Sequence, residues 1–234
     1  RCVRSFYRVS QVGPRTMSLP HQDDVKIAVI GLGYVGLPLS RALSMHYPLV
    51  GLDIDAARVN ELQQGIDRTG EMSSARLRDA ATHYSDDAED LGSCNVFIIT
   101  VPTPVDDNNQ PDLTAVKAAC RTLAPALGVG NVVVLESTVF PGVTEDVCGP
   151  ELAAGSGLTP GNDFFLGFSP ERINPGDKEH TVSKITKVVA GQTPEVTDFL
   201  AQIYGAMTEG NVFKAKNIRT AEAAKVIENA QRDI

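Results

Sequence analysis

The stretch "VKIAVIGLGYVG", residues 25–36, constrains the fold more than any other part of the chain. A short apolar run that stops at a glycine predicts a buried parallel strand. Gly31, Gly33 and Gly36 then stand in G-x-G-x-x-G spacing, with Tyr34 and Val35 in the same loop. The first glycine permits a tight turn, the second lets a pyrophosphate approach the backbone, and the third lets helix and strand pack closely. The helix that follows would offer its N–H groups and positive dipole end to the phosphates. The glycines alone are weak grounds for a site, but here Asp53 ends the second strand 22 residues after Gly31, and that context makes the motif specific. Asp53 can accept both adenosine ribose hydroxyls and would repel a 2′-phosphate, so NAD is expected rather than NADP.

The same alternation continues along the chain. Helices are expected over 34–46, 55–64, 72–80, 112–126, 143–154 and 194–205. Strands are expected at "YPLVGLDID", "CNVFIITVPTP", "NVVVLESTVFPG", "DFFLGFSPE", "ITKVVAG" and "NVFKA". Strands separated by helices imply an α/β fold: a Rossmann-like, doubly wound, mainly parallel sheet with helices on both faces. Residues 174–184 read as a polar linker. The end, "RTAEAAKVIENAQRDI", reads as a helix start with Thr220 able to cap it and no Gly or Pro to stop it.

A net charge of −8 argues against a general nucleic-acid binder, which needs clustered Lys and Arg. No apolar run is long enough for a membrane span, and no signal-peptide core is present. Cys2, Cys94, Cys120 and Cys148 have neither CxxC nor metal-ligand spacing, so no metal site is expected and reduced thiols in the cytoplasm are. Residues 1–16 carry four arginines and no acid, with Met17 directly after them; they read as a leader or vector-derived segment.

In open α/β sheets ligands bind beyond the carboxyl ends of the strands. Thr103 and Thr138 sit at two such ends, where their hydroxyls could meet the cofactor or a water, or simply serve the turns beside their prolines. Arg58 reads equally as a neighbour of the adenine or ribose and as a solvated helix charge.

Five segments occur in order: "KIAVIGLGYVGLPLS", "VPTPVDD", "ESTVFPG", "FSPERINPGD" and "AEAAKVIENAQRDI". Together they resemble the UDP-glucose/GDP-mannose dehydrogenase family, and the fourth and fifth are most similar to its branch acting on UDP-N-acetylhexosamines for surface polysaccharides. The resemblance implies oxidation of a sugar C6 alcohol to the acid with two NAD. A cysteine thiolate would carry a thiohemiacetal and then a thioester before water releases the product. On the same resemblance Lys225 would stabilise an alkoxide or oxyanion, and Asn229 would orient water or substrate oxygen. Their i,i+4 spacing puts both on one helical face. Glu171 would assist water attack, Arg172 would contact substrate, and Thr138 would lie near the nicotinamide. Pro175 stands where the UDP-glucose branch tends to carry a second acid, which disfavours that substrate. No cysteine has the family's glycine-rich nucleophile setting.

The resemblance therefore implies the NAD-binding portion, 17–218, followed by the start of a central helix, 219–234. A UDP-binding domain with the nucleophile is missing, and the full-length protein would pair as a homodimer. Two alternatives stay open: a 3-hydroxyacid-type NAD dehydrogenase, which needs no cysteine, and a non-catalytic NAD-binding module.

Overall fold

The computed structural model describes residues 18–79, 81–106, 108, 110–171 and 186–232. The first strand, β1 (Ile27–Ile30), is buried at all four positions. It runs into helix α1 (Gly36–Leu43), and β2 (Leu49–Leu52), α2 (Ala56–Gln63), α3 (Ser74–Arg78) and β3 (Thr82–Ser85) follow. Next come β4 (Val96–Ile99), α4 (Thr114–Leu123), β5 (Val132–Leu135), α5 (Gly149–Ser156) and β6 (Phe165–Phe168). The chain closes with β7 (Lys187–Gly191), α6 (Pro194–Met207), β8 (Val212–Lys214) and α7 (Ile218–Arg232).

These strands form one sheet in the order β3-β2-β1-β4-β5-β6-β7-β8. All neighbours are parallel except β6 and β7, which are antiparallel. Alternate residues of β1 enter opposite layers, as strand geometry requires. Ile27 and Val29 join a core with α1 and α6. Ala28 and Ile30 join a core with α4, Leu152 of α5, and Ile218 and Ala221 of α7. The order of strand addition switches direction between β1 and β4, and the crevice beyond their carboxyl ends is where such sheets take ligands.

Several expected boundaries shift. The helix over 34–46 narrows to α1, because Gly31–Val35 form the turn. Strand β3, "THYS", was not anticipated: it is a short edge strand with no apolar run. The helix expected across 143–154 is a π-helical turn, Val143–Cys148, followed by α5. Pro150 sits at that junction and has no N–H to continue an α ladder. Helix α7 starts before Thr220. The Asn217 side chain accepts the Thr220 N–H at 2.8 Å, so Asn217 rather than Thr220 supplies the cap.

Candidate functional site

The glycine loop shows what each glycine is needed for. Gly31 adopts φ +97°, a left-handed conformation open to glycine. A Cβ on Gly36 would stand 1.8 Å from the Gly31 carbonyl oxygen and 2.4 Å from Thr100 Oγ1, so helix and loop touch there. Gly33 is different: nothing lies within 4 Å of its would-be Cβ. That face is open for a ligand to reach the backbone. No side chain caps the N-terminus of α1, since Val35 occupies the cap position; in its first turn Leu37 N–H bonds the Gly33 carbonyl at 3.2 Å and Pro38 has no N–H. A glycine cradle, an uncapped helix end and a carboxylate at the end of β2 fit the pyrophosphate and ribose of a dinucleotide.

Asp53 is half-buried and already built into the loop. Its Oδ2 accepts the Leu32 N–H at 2.7 Å and its Oδ1 accepts the Asp55 N–H at 3.0 Å. Thr100 Oγ1 donates to the carbonyl of Gly31 at 2.7 Å, tying β4 to the turn. Tyr34 is exposed beside the cradle, and Val35 is half-buried.

Arg58 is not a solvated helix charge. It is buried, and its Nε and Nη2 both donate to the Leu32 carbonyl at 3.1 and 3.0 Å. Nη2 also pairs with Asp67 at 2.7 Å. Burial works against the Asp67 charge, but hydrogen bonds from Thr69, Arg58 and Met72 outweigh it and hold the carboxyl below its usual range. Arg58 thus braces the glycine loop from behind. The bracing role had no signal in sequence, because its partner Asp67, nine residues on, gave no pattern.

At the ends of β4 and β5 the hydroxyls serve the turns. Thr103 Oγ1 donates to the Thr138 carbonyl at 2.6 Å, and Ser137 Oγ donates to that of Val101 at 2.6 Å. Thr138 itself is exposed. The two loops are therefore fastened to one another at the crevice.

Helix α7 packs against β6 and β7. Ile218, Ala221, Glu222 and Lys225 form its buried face, and Asn229 follows one turn later, half-buried. Glu222 was not singled out from sequence. Its carboxylate takes the N–H groups of Gly142 and Thr144 at 2.6 and 3.0 Å and the Thr144 hydroxyl at 2.7 Å. It locks α7 to the turn that follows "STVFPG", and so sets where Lys225 and Asn229 lie. The available signal was its position three residues before Lys225, on the same helical face.

A second missed cluster lies behind Glu171. Lys187 Nζ donates to Glu136 at 2.6 Å and to Glu171 at 3.4 Å, and the Tyr204 hydroxyl donates to Glu136. Burial lifts the Glu136 carboxyl, with Lys187 pulling the other way. Burial also opposes charge on Lys187, but the two carboxylates prevail and hold it protonated. Arg172 and the 174–184 segment lie outside the described residues. Cys94, Cys120 and Cys148 are buried in the core. Cys148 against Cys120, together with burial, pushes the Cys120 thiol far above its ordinary range, which makes it a poor nucleophile.

The NAD-binding-domain profile of the UDP-glucose/GDP-mannose dehydrogenase family matches residues 25–208. The chain belongs to the UDP-glucose/GDP-mannose dehydrogenase family. Among its relatives are the UDP-N-acetyl-D-glucosamine 6-dehydrogenases of Pseudomonas aeruginosa, 50% identical over 90% of this chain, and of Salmonella typhi, 46% identical over 91%. In each case the match covers 50% of the relative. The chain thus spans about half the length of the curated relatives it matches. The UDP-D-ManNAc dehydrogenase structure from Pyrococcus horikoshii superposes with a TM-score of 0.82 at 33% identity, over 89% of this chain and 51% of that one. As a member of the UDP-glucose/GDP-mannose dehydrogenase family, the chain is its Rossmann-type, NAD-binding domain. Among the described residues no helix is long and apolar enough to cross a membrane.

Proposed function

We propose that this chain supplies the NAD-binding half of an NAD-dependent UDP-N-acetylhexosamine 6-dehydrogenase, which oxidises the C6 alcohol to the uronic acid. The observation that carries this reading is the 50% identity to the Pseudomonas aeruginosa protein named for that reaction. The strand-end crevice supports it physically. NAD, when bound, supplies a hydride acceptor. Gly31–Gly36 and the α1 N-terminus hold the pyrophosphate, Asp53 holds the ribose, and Arg58 keeps the loop in shape.

In this reading Lys225 stabilises negative charge on the substrate oxygen, and Asn229 orients that oxygen or a water. Glu171 takes a proton from water attacking the acyl intermediate. Thr138 lines the nicotinamide end, and Arg172 contacts the substrate. The thiolate that the four-electron sequence needs is not one of the three buried cysteines. Pairing of two copies through α7 belongs to the same proposal, and Val226 and Ile227 are exposed on that helix. Buried cysteines without disulfides suit a reducing cytoplasm.

Two measurements test it. Calorimetric titration of this chain should show NAD binding with NADP weaker, and no binding by folded protein would refute the cofactor site. The complete gene product should release two NADH per UDP-N-acetylhexosamine. One NADH with a free two-electron product would favour the hydroxyacid-type alternative.

A further inference from the structure

Glu171 stands at the mouth of a buried charge chain that spans three strands and a helix. Glu136, at the end of β5, is 1% exposed, and Lys187, at the start of β7, is 4% exposed. Tyr204 of α6 is fully buried, donates to Glu136, and lies with its ring 5.4 Å from the Lys187 ammonium. Lys187 Nζ reaches both carboxylates, at 2.6 Å to Glu136 and 3.4 Å to Glu171. The Lys187 ammonium thus links the buried Glu136 to Glu171 at the half-buried end of the chain. If structural cohesion alone were at stake, apolar residues would serve as well, because a buried ion pair gains little over a well-packed apolar replacement. What an apolar replacement could not do is hold a carboxylate at the rim of the crevice in one orientation.

We propose that Lys187, itself fixed by Glu136 and Tyr204, is a positioning residue that aims Glu171 for the hydrolytic step. This rests on the reading of Glu171 given above. The antiparallel pairing of β6 and β7 is what makes it possible. With Phe168 opposite Ala190, the start of β7 lies beside the segment that leaves β6. A parallel β7 would put Lys187 at the other end of the sheet.

The test uses the complete gene product and the double variant Glu136→Gln/Lys187→Met, which removes both buried charges and keeps an acceptor for Tyr204. Its NAD affinity should match wild type, showing an intact fold. The burst of NADH should remain, while hydrolysis of the acyl-enzyme slows about 10- to 100-fold. Intact-mass spectrometry should then show the acylated protein accumulating. Lys187→Arg, whose guanidinium can still bridge two carboxylates, should recover most of the rate. Hydrolysis at the wild-type rate in the double variant would overturn the proposal, and so would equal losses in hydrolysis and NAD binding. A second arm needs no turnover. The 15Nζ resonance of Lys187 should shift in Glu171→Gln, and an unchanged resonance would overturn the link. If wild type forms no NADH with any UDP-sugar, the reaction assignment fails, and the resonance still decides whether Lys187 holds Glu171.

Discussion

Replacing Gly36 by Ala adds one carbon at a position where the structure leaves no space. Helix propensity alone would favour Ala there by about 1 kcal/mol. The added Cβ would stand 1.8 Å from the Gly31 oxygen, whereas ordinary contact begins near 3.4 Å. The obstacle is backbone, and the Gly31 carbonyl is pinned by the Thr100 hydroxyl, which stands 2.4 Å from the same Cβ. Helix α1 must therefore back away from the loop, the kind of overpacking that costs about 1–3 kcal/mol. Set against the propensity gain, a net loss of about 1 kcal/mol lowers the melting temperature by about 2–4 °C in a chain of this size. NAD binding should weaken along with it, because the pyrophosphate cradle opens. Gly33→Ala is the matched control. Its Cβ meets no protein atom within 4 Å, so stability should stay within about 0.5 kcal/mol of wild type. Its Cβ would nevertheless occupy the face a pyrophosphate must approach, weakening NAD about tenfold or more. Thermal unfolding without ligand and calorimetry with NAD separate the two effects. Gly36→Ala melting with wild type, or Gly33→Ala binding NAD normally, would refute the reasoning.

Other substitutions test the rest of the site. Asp53→Asn should weaken NAD and narrow its advantage over NADP, as read from the two dissociation constants, because the charge that repels a 2′-phosphate is gone. Glu222→Ala would strand three donors in a buried place and should cost about 2–4 kcal/mol in urea unfolding. Hydrogen exchange should accelerate first in α7. Arg58→Met would leave Asp67 buried and unpaired, a loss of about 3–5 kcal/mol, and adding Asp67→Asn should restore part of it. Asp67 has a folded-state pKa below its unfolded value, so its stabilisation is present above the unfolded pKa of about 3.9 and is lost as pH falls through the folded value. Asp67→Asn alone should therefore flatten the acid limb of the stability–pH curve below about pH 4.

What the sequence determined by itself is whatever depends on neighbours along the chain. The strand–glycine–helix unit at 27–43, Asp53 closing the second strand, and the alternation that demands a doubly wound sheet are local patterns, and the fold follows them. The ordered motifs likewise identified the family whose profile matches 25–208. Tertiary structure decided what depends on partners far away in sequence. Arg58 carried two equal readings in sequence, and its burial against the loop and Asp67 came only with the fold. Glu136 and Lys187, 51 residues apart, meet because β7 runs antiparallel to β6. Glu222 reaches back 80 residues to Gly142, a link no periodicity encodes. Strand β3 had no apolar signal, since an edge strand needs only backbone partners and one buried face. Buried charges find their partners only when the sheet is assembled, and so the charge chain behind Glu171 was visible only in three dimensions.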